Sequence, residues 1–139
     1  MNTSKQPKLW VLVADGDHAR VVTPQAVEGR FTTVLEFETG DSGAAQHRPG
    51  SRLDPHVHAE QVFITDIAHQ IDHHDQLHAF DQLVLAAPPR ALHDLREALG
   101  ESVQAKVVGS LHKDLVMLND HDLSPHLKEF WLAPGTATP

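Results

Sequence analysis

Histidine is the residue type in this sequence with the most obvious potential for chemistry, since it occurs 12 times in 139 residues. Two pairs are spaced four residues apart within one predicted helix, and they are His69 with His73 and His74 with His78. This spacing places two imidazoles on one helical face, where they can chelate zinc or nickel. A metal site would need a third ligand from elsewhere, and no His-Glu-x-x-His pattern is present. A polar, solvated helix face is the simpler interpretation.

Two carboxylates follow predicted strands and are candidates for metal-dependent hydrolysis. Asp15 comes directly after the first predicted strand, and Asp114 comes after the fifth. A nuclease of the ribonuclease-H type needs several carboxylates that converge on two metal ions. The fourth predicted strand ends in "AAPPR" without an acid, and Asp15 is equally typical of a turn. No Gly-x-Ser-x-Gly elbow is present either. The sequence therefore leans away from an enzyme, and we expect no cofactor.

The stretch "LVLAAPPRALHDLREAL", residues 83–99, joins a buried strand to an amphipathic helix through two prolines. In open α/β sheets the carboxyl end of a strand is the usual place for a ligand. Pro88 and Pro89 have no N–H to offer an anion, and proline in the first helical turn is a common way to begin a helix. We interpret the junction as a structural corner, at which Arg90 and the N–H groups of Ala91 and Leu92 remain available for an anion.

The overall charge limits which classes of molecule the protein is expected to bind. Eleven Lys and Arg against nineteen Asp and Glu give a formal charge of −8, which argues against a free-standing DNA- or RNA-binding protein. Docking on a nucleoprotein through one local patch is compatible with this charge. The apolar run "LWVLVA" is too short for a membrane span or a signal peptide, so we expect a cytoplasmic protein with no membrane partner.

The pattern of apolar residues predicts one domain, residues 1–139, with the order β-β-β-α-β-α-β-α. The first three strands read as an antiparallel meander, with Gly16 available for positive φ in the first turn. Later helices cross over and add two parallel strands, which gives an α/β fold with a mixed five-stranded sheet in a ribonuclease-H-like arrangement. The predicted segments are strands 9–14, 19–24, 31–38, 80–88 and 106–111, helices from Pro55 to near His78, 89–99 (stopped by Gly100) and 124–132, a mobile loop at 39–53 and a frayed tail at 133–139.

Five segments together resemble a known family. They are "LWVLVADGDHARVV", "DPHVHAEQVFITDIAHQI", "FDQLVLAAPPRALHDLREAL", "LHKDLVML" and "LSPHL". They are similar, in this order, to the bacterial host-attachment proteins, which are grouped with relatives of the central domain of archaeal and eukaryotic peptide release factors. The resemblance implies that domain's fold. Release factors carry Gly-Gly-Gln in the loop before the long helix, whereas this chain has "GAAQ", Gly43 to Gln46, in which alanines replace glycines whose freedom at positive φ the motif uses.

Three functions remain open at this point. The leading one is a non-hydrolytic, release-factor-like protein that contacts the ribosome or tRNA. The second is a metal-dependent hydrolase or nuclease. The third is an interaction module, as a monomer or a homo-oligomer, in which the aromatic cluster at 130–132 either caps the core or forms an interface. The candidate RNA- or ligand-binding residues are Asp15, Arg20, Gln46, Arg48, Arg52, Arg90, Lys113 and Asp114.

Overall fold

The computed structural model describes residues 7–25, 29–38 and 55–130, and it contains one five-stranded mixed sheet with the strand order β3-β2-β1-β4-β5. β1 pairs antiparallel with β2 and parallel with β4, β2 pairs antiparallel with β3, and β4 pairs parallel with β5. This confirms the predicted fold class. The elements are β1 Leu9–Ala14, β2 His18–Pro24, β3 Phe31–Glu38, α1 Pro55–Gln76, β4 Gln82–Ala86, α2 Pro89–Ala98, α3 Glu101–Gln104, β5 Val107–Leu111 and α4 Asp120–Leu127, followed by a 3₁₀ turn Lys128–Phe130.

The sheet separates two apolar cores because β1 and β4 are buried on both faces. Leu12 of β1 and Leu85 of β4 point toward α1 and α2, into a cluster that we call the α1-side core. Val13 and Val84 point the other way, into the α4-side core. The strands are continuous apolar runs because neither face meets water, as is usual for parallel strands covered by helices.

The long helix α1 covers one face of the sheet with a single apolar stripe. Phe63, Ile67 and Ile71 are spaced four apart and are all buried in the α1-side core. The helix ends at Gln76, slightly before the predicted end. His78 then takes a φ of 60°, which turns the chain toward β4.

Each edge strand of the sheet carries one extra residue in its pairing. Val21 and Val22 of β2 face Leu35 and Thr33, so Val34 of β3 has no partner. The same skip occurs on β5, where Val108 lies between the residues paired with Leu83 and Val84. These two bulged valines are 44% and 55% exposed. Bulges on edge strands discourage pairing with another chain.

The bulge in β3 also changes which face its side chains occupy. Phe31 and Thr33 point toward α4, whereas Leu35 and Phe37 pack against the α1-side core. Strict alternation would have placed all four on one face, because they are two residues apart. The alternation of side chains along β3 is therefore interrupted at Val34.

Gly16 and Gly100 have structural roles that differ from the predicted ones. Among the described residues, positive φ occurs at Gly29 and not at Gly16. A Cβ on Gly16 would lie 2.6 Å from the carboxyl group of Glu60, so this glycine permits a close approach of α1. Gly100 has a φ of −70° and caps α3, while its N–H donates to Asp72 Oδ1 at 3.0 Å.

The last helix begins earlier than predicted. It starts at Asp120, because the Asn119 side chain accepts a hydrogen bond from the N–H of Asp122 at 2.8 Å. Pro125 lies inside the helix rather than at its start. The predicted loop 39–53 and tail 133–139 lie outside the described residues, as do residues 131–132 of the aromatic cluster.

One buried ion pair connects α1 to the segment before β5. Asp75 is 6% exposed and accepts hydrogen bonds from Ser102 Oγ, at 2.7 Å, and from Lys106 Nζ. Burial by itself raises the pKa of this carboxyl, but the hydrogen bonds from Lys106 and Ser102 and the charge of Lys106 outweigh that effect and hold the pKa below its usual range. The pair therefore stabilises the fold above the ordinary pKa of Asp, and this contribution is lost as the pH falls.

We expect Lys106→Met to lower the free energy of unfolding by about 3 kcal/mol, because it leaves the Asp75 carboxylate buried without its cation. Urea unfolding at pH 7 measures this change, with the exposed Lys113→Met as the matched control. The difference from wild type should shrink as the pH falls below the ordinary pKa of Asp, about 4, and should disappear only at a pH below the lowered pKa of Asp75, where wild type is protonated as well. A loss no larger than that of Lys113→Met would contradict this account.

We also expect Gly109→Ala to destabilise the fold by about 1–3 kcal/mol, since an added Cβ would lie 2.9 Å from Cε1 of the Phe130 ring. Replacing the ring in Phe130→Leu should relieve this clash. The double variant should then lose less stability than the sum of the two single variants in thermal or urea unfolding. Simple additivity would show that the ring does not cause the effect.

Candidate functional site

The candidate site lies at the edge of the sheet where the parallel strands end. β1, β3, β4 and β5 run in the same direction, so their carboxyl ends share one edge. Here the turn after β1, the start of α2 and the first half of α1 enclose a cleft of about 240 Å³, which we call the carboxyl-edge cleft. Its charged lining residues are Asp15, Asp17, Glu60, Arg90 and Asp94.

Asp15 has a clear structural task at this edge. Its Oδ1 accepts hydrogen bonds from the N–H groups of Asp17 and His18, both at 2.7 Å. These bonds close the turn between β1 and β2 in the manner of an Asx turn. His18 Nδ1 lies 3.6 Å from the same oxygen. One carboxylate oxygen of Asp15 is thus committed to the turn.

Arg90 lies in the first turn of α2, as predicted, and its side chain is exposed at the cleft. No hydrogen bond or ion pair involves its guanidinium within the described ranges of the chain. The same cleft is lined by four carboxylates, so its net charge is negative. This field favours a cationic or neutral ligand group over a phosphate.

Arg20 is held inside the protein. Its Nη1 donates to the carbonyl of Val116 and its Nη2 to the carbonyl of Leu118, while Nη2 lies 3.8 Å from Asp120 Oδ1. The side chain is 11% exposed. We call this set of contacts the Arg20 brace, and it fixes the segment 112–119 against β2. Both terminal nitrogens are engaged, so Arg20 does not enter our functional proposal.

The other candidate residues do not join the cleft. Lys113 and Asp114 follow β5 at the same edge and are exposed, but neither lines the cleft that Asp15 lines. Gln46, Arg48 and Arg52 lie outside the described residues, in the segment that joins β3 to α1. The two carboxylates proposed for a nuclease are thus not brought together in this cleft.

The histidine pairs gain no third ligand among the residues that the structure describes, where no group of three His, Asp or Glu side chains is placed to hold a metal. His69, His73 and His78 are exposed. The ring centroid of His74 lies 5.5 Å from that of Trp10. Burial, followed by the charge of His73, lowers the pKa of His74, which favours the neutral ring in the fold.

Three acidic residues of the cleft were not identified from the sequence. Asp17 lies in the "DGD" turn and could have been noticed there. Glu60 and Asp94 are single charges on polar helix faces, and only the packing of α1 and α2 on the sheet brings them to the same cleft. No spacing in the sequence signals this convergence.

The comparison with protein families is decisive for identity. A family described as "Protein required for attachment to host cells" matches residues 38–127. The chain belongs to this family. Among proteins with curated descriptions, none matches this host-attachment protein.

Two solved structures share the fold of this host-attachment protein. An archaeal translation termination factor, aRF1, has a TM-score of 0.52 at 11% identity, over 88% of this chain and 39% of that one. A second structure, described as an archaeal protein, has a TM-score of 0.50 at 12% identity, over 88% of this chain and 36% of that one. The chain therefore spans less than two-fifths of either structure, and at this identity the likeness establishes the fold.

Within the described ranges, no helix combines the length and the apolar character that crossing a membrane requires.

We expect Arg20→Lys to lower the free energy of unfolding by about 2 kcal/mol, because a single ammonium group lacks the forked geometry that reaches two carbonyls at once. Arg96→Lys, on the exposed face of α2, is the matched control and should change stability by less than about 0.5 kcal/mol. Hydrogen exchange should also increase selectively in 112–119. If both variants unfold alike, the brace does not stabilise the fold.

Proposed function

We propose that this host-attachment protein is a non-hydrolytic, release-factor-like factor that associates with the ribosome or with tRNA in the cytoplasm. The observation that carries the proposal is the fold that 88% of the chain shares with an archaeal translation termination factor. The family's requirement for attachment to host cells is then an indirect consequence of an effect on translation.

The absence of hydrolysis is supported by the sequence and by the cleft. No two glycines are adjacent anywhere in the chain, so a Gly-Gly-Gln is absent. The nearest sequence, "GAAQ", ends at Gln46 and lacks the conformational freedom that glycines supply. The carboxyl-edge cleft is acidic, and Asp15 serves its turn. These features favour a binding role over catalysis.

The proposed contacts to RNA are cations at or next to the carboxyl edge. Lys113 follows β5 there, and Arg48 and Arg52 lie in the segment joining β3 to α1, with Gln46 beside them. Arg90 lies in the acidic carboxyl-edge cleft, where a phosphate is disfavoured, and is not among these contacts. A charge of −8 opposes binding to RNA in general. Association should therefore depend on these few contacts and on shape, and should be weak for naked RNA.

We expect the protein to co-sediment with ribosomes of its own organism in sucrose gradients at physiological salt, during growth or starvation. The variant Arg48→Gln/Arg52→Gln should lower the bound fraction at least tenfold, because two phosphate contacts are lost. Arg96→Gln removes one charge from a different surface and should bind like wild type.

A protein that stays in the supernatant under both growth conditions would overturn the proposal. Equal loss of binding in the Arg96→Gln control would show that net charge, rather than these contacts, governs the association.

A further inference from the structure

A second and larger cleft lies at the opposite edge of the sheet, where β2 ends and β3 begins. Its volume is about 490 Å³, and it is lined by Gln25, Gly29 and Arg30 from the two ends of the β2–β3 turn on one side and by α4 with its 3₁₀ extension on the other. We call it the amino-edge cleft. This volume is in the range of sites that hold a small organic ligand.

Three basic side chains from three separate parts of the fold meet at this cleft. Arg30 comes from the turn before β3, His121 from the first turn of α4 and Lys128 from the 3₁₀ turn. All three are exposed, and none has a hydrogen bond or ion pair within the ranges that the structure describes. Like charges gathered from distant positions repel one another unless an anion lies between them.

The turn geometry directs Lys128 into this arrangement. Gly29 has a φ of +78°, and the aliphatic carbons of Lys128 lie 3.7–3.9 Å from the position that a Cβ on Gly29 would occupy. The side chain thus lies along Gly29, and Lys128 lines the cleft. The backbone of Arg30 is fixed as well, because its carbonyl accepts a 2.9 Å hydrogen bond from the N–H of Gln25.

Among the described residues, one carboxylate lines this cleft, and it already makes contacts of its own. Asp120 Oδ1 accepts from Thr33 Oγ1 at 2.5 Å and lies 3.8 Å from Arg20 Nη2, while Oδ2 accepts from the N–H of Thr33 at 3.0 Å. Asn119 caps α4, so the start of that helix is not itself the anion site. Among the described lining residues, the basic side chains therefore outnumber the carboxylate by three to one.

The remaining lining suits an organic phosphate better than a bare ion. Pro125 and the partly buried Thr32 add apolar and hydroxyl surface beside the charges. A nucleotide unit combines a phosphate with a sugar and a base that use such surface. We infer that the amino-edge cleft binds the phosphate group of a nucleotide unit, with Arg30 and Lys128 as its main contacts and His121 as a third.

This inference deepens the proposed function, on which it rests, by giving a ribosome-associated protein a second phosphate contact on its far edge. The two clefts differ in the sign of their charge. Among the described residues, four carboxylates and one guanidinium line the carboxyl-edge cleft. A phosphate would be repelled from the carboxyl-edge cleft and attracted to the amino-edge cleft.

The test uses the purified full chain and two probes, an octamer of single-stranded RNA and free adenosine monophosphate. Binding is followed by amide NMR shifts and by titration at several salt concentrations. We expect the RNA to shift the resonances of Gly29 and Lys128. The variant Arg30→Gln/Lys128→Gln should bind it at least tenfold more weakly and reduce the salt slope by about 1.4, the value for two phosphate contacts on a single strand. Arg96→Gln is the matched control.

The probes distinguish the source of the phosphate. Binding of both, with equal loss in the double variant, assigns the cleft to single nucleotides, whereas binding of RNA alone assigns it to a nucleic-acid backbone. No shift at the cleft with either probe, or wild-type affinity in the double variant, would overturn the inference. Because no ribosome is present, this failure is separate from failure to co-sediment, which would overturn the proposed function.

Discussion

The burial of β1 on both faces is the constraint from which the rest of the structure follows. A strand with no face toward water must be covered by apolar layers on both sides, so the chain needs α1 and α2 on one face and α4 on the other. The parallel pairing of β1 with β4 requires a crossover, and α1 provides it. The ends of both strands then meet at one edge, which creates the carboxyl-edge cleft.

Polar contacts fasten the peripheral elements to this centre. The Arg20 brace holds the segment 112–119 and the start of α4 to β2, while the pair of Asp75 with Lys106 holds α1 to the approach of β5. Both are largely buried, so their hydrogen bonds are stronger than similar bonds in water. The bulges at Val34 and Val108 limit pairing at the open sides of the sheet. The bulges thus limit pairing of the two edge strands with another chain, and the two sets of polar contacts hold the peripheral segments to the sheet.

The two ends of the sheet differ in the charge of the side chains that line their clefts. In the carboxyl-edge cleft Arg90 lies among acidic side chains, whereas Arg30, His121 and Lys128 line the amino-edge cleft. For a chain with a net charge of −8, attraction to a nucleoprotein has to come from such local patches.

The sequence by itself determined the family, the strand order along the chain and the mixed sheet, because continuous apolar runs and a four-residue apolar stripe depend on local periodicity. It also identified Asp15 and Arg90, which do share a cleft. Only the tertiary structure decided that Arg20 is an internal brace, that Gly16 makes room for Glu60, and that β3 changes face at a bulge. These outcomes depend on contacts between residues far apart in the chain. Such contacts leave no periodic signal, because the partner of each group is chosen by packing rather than by spacing.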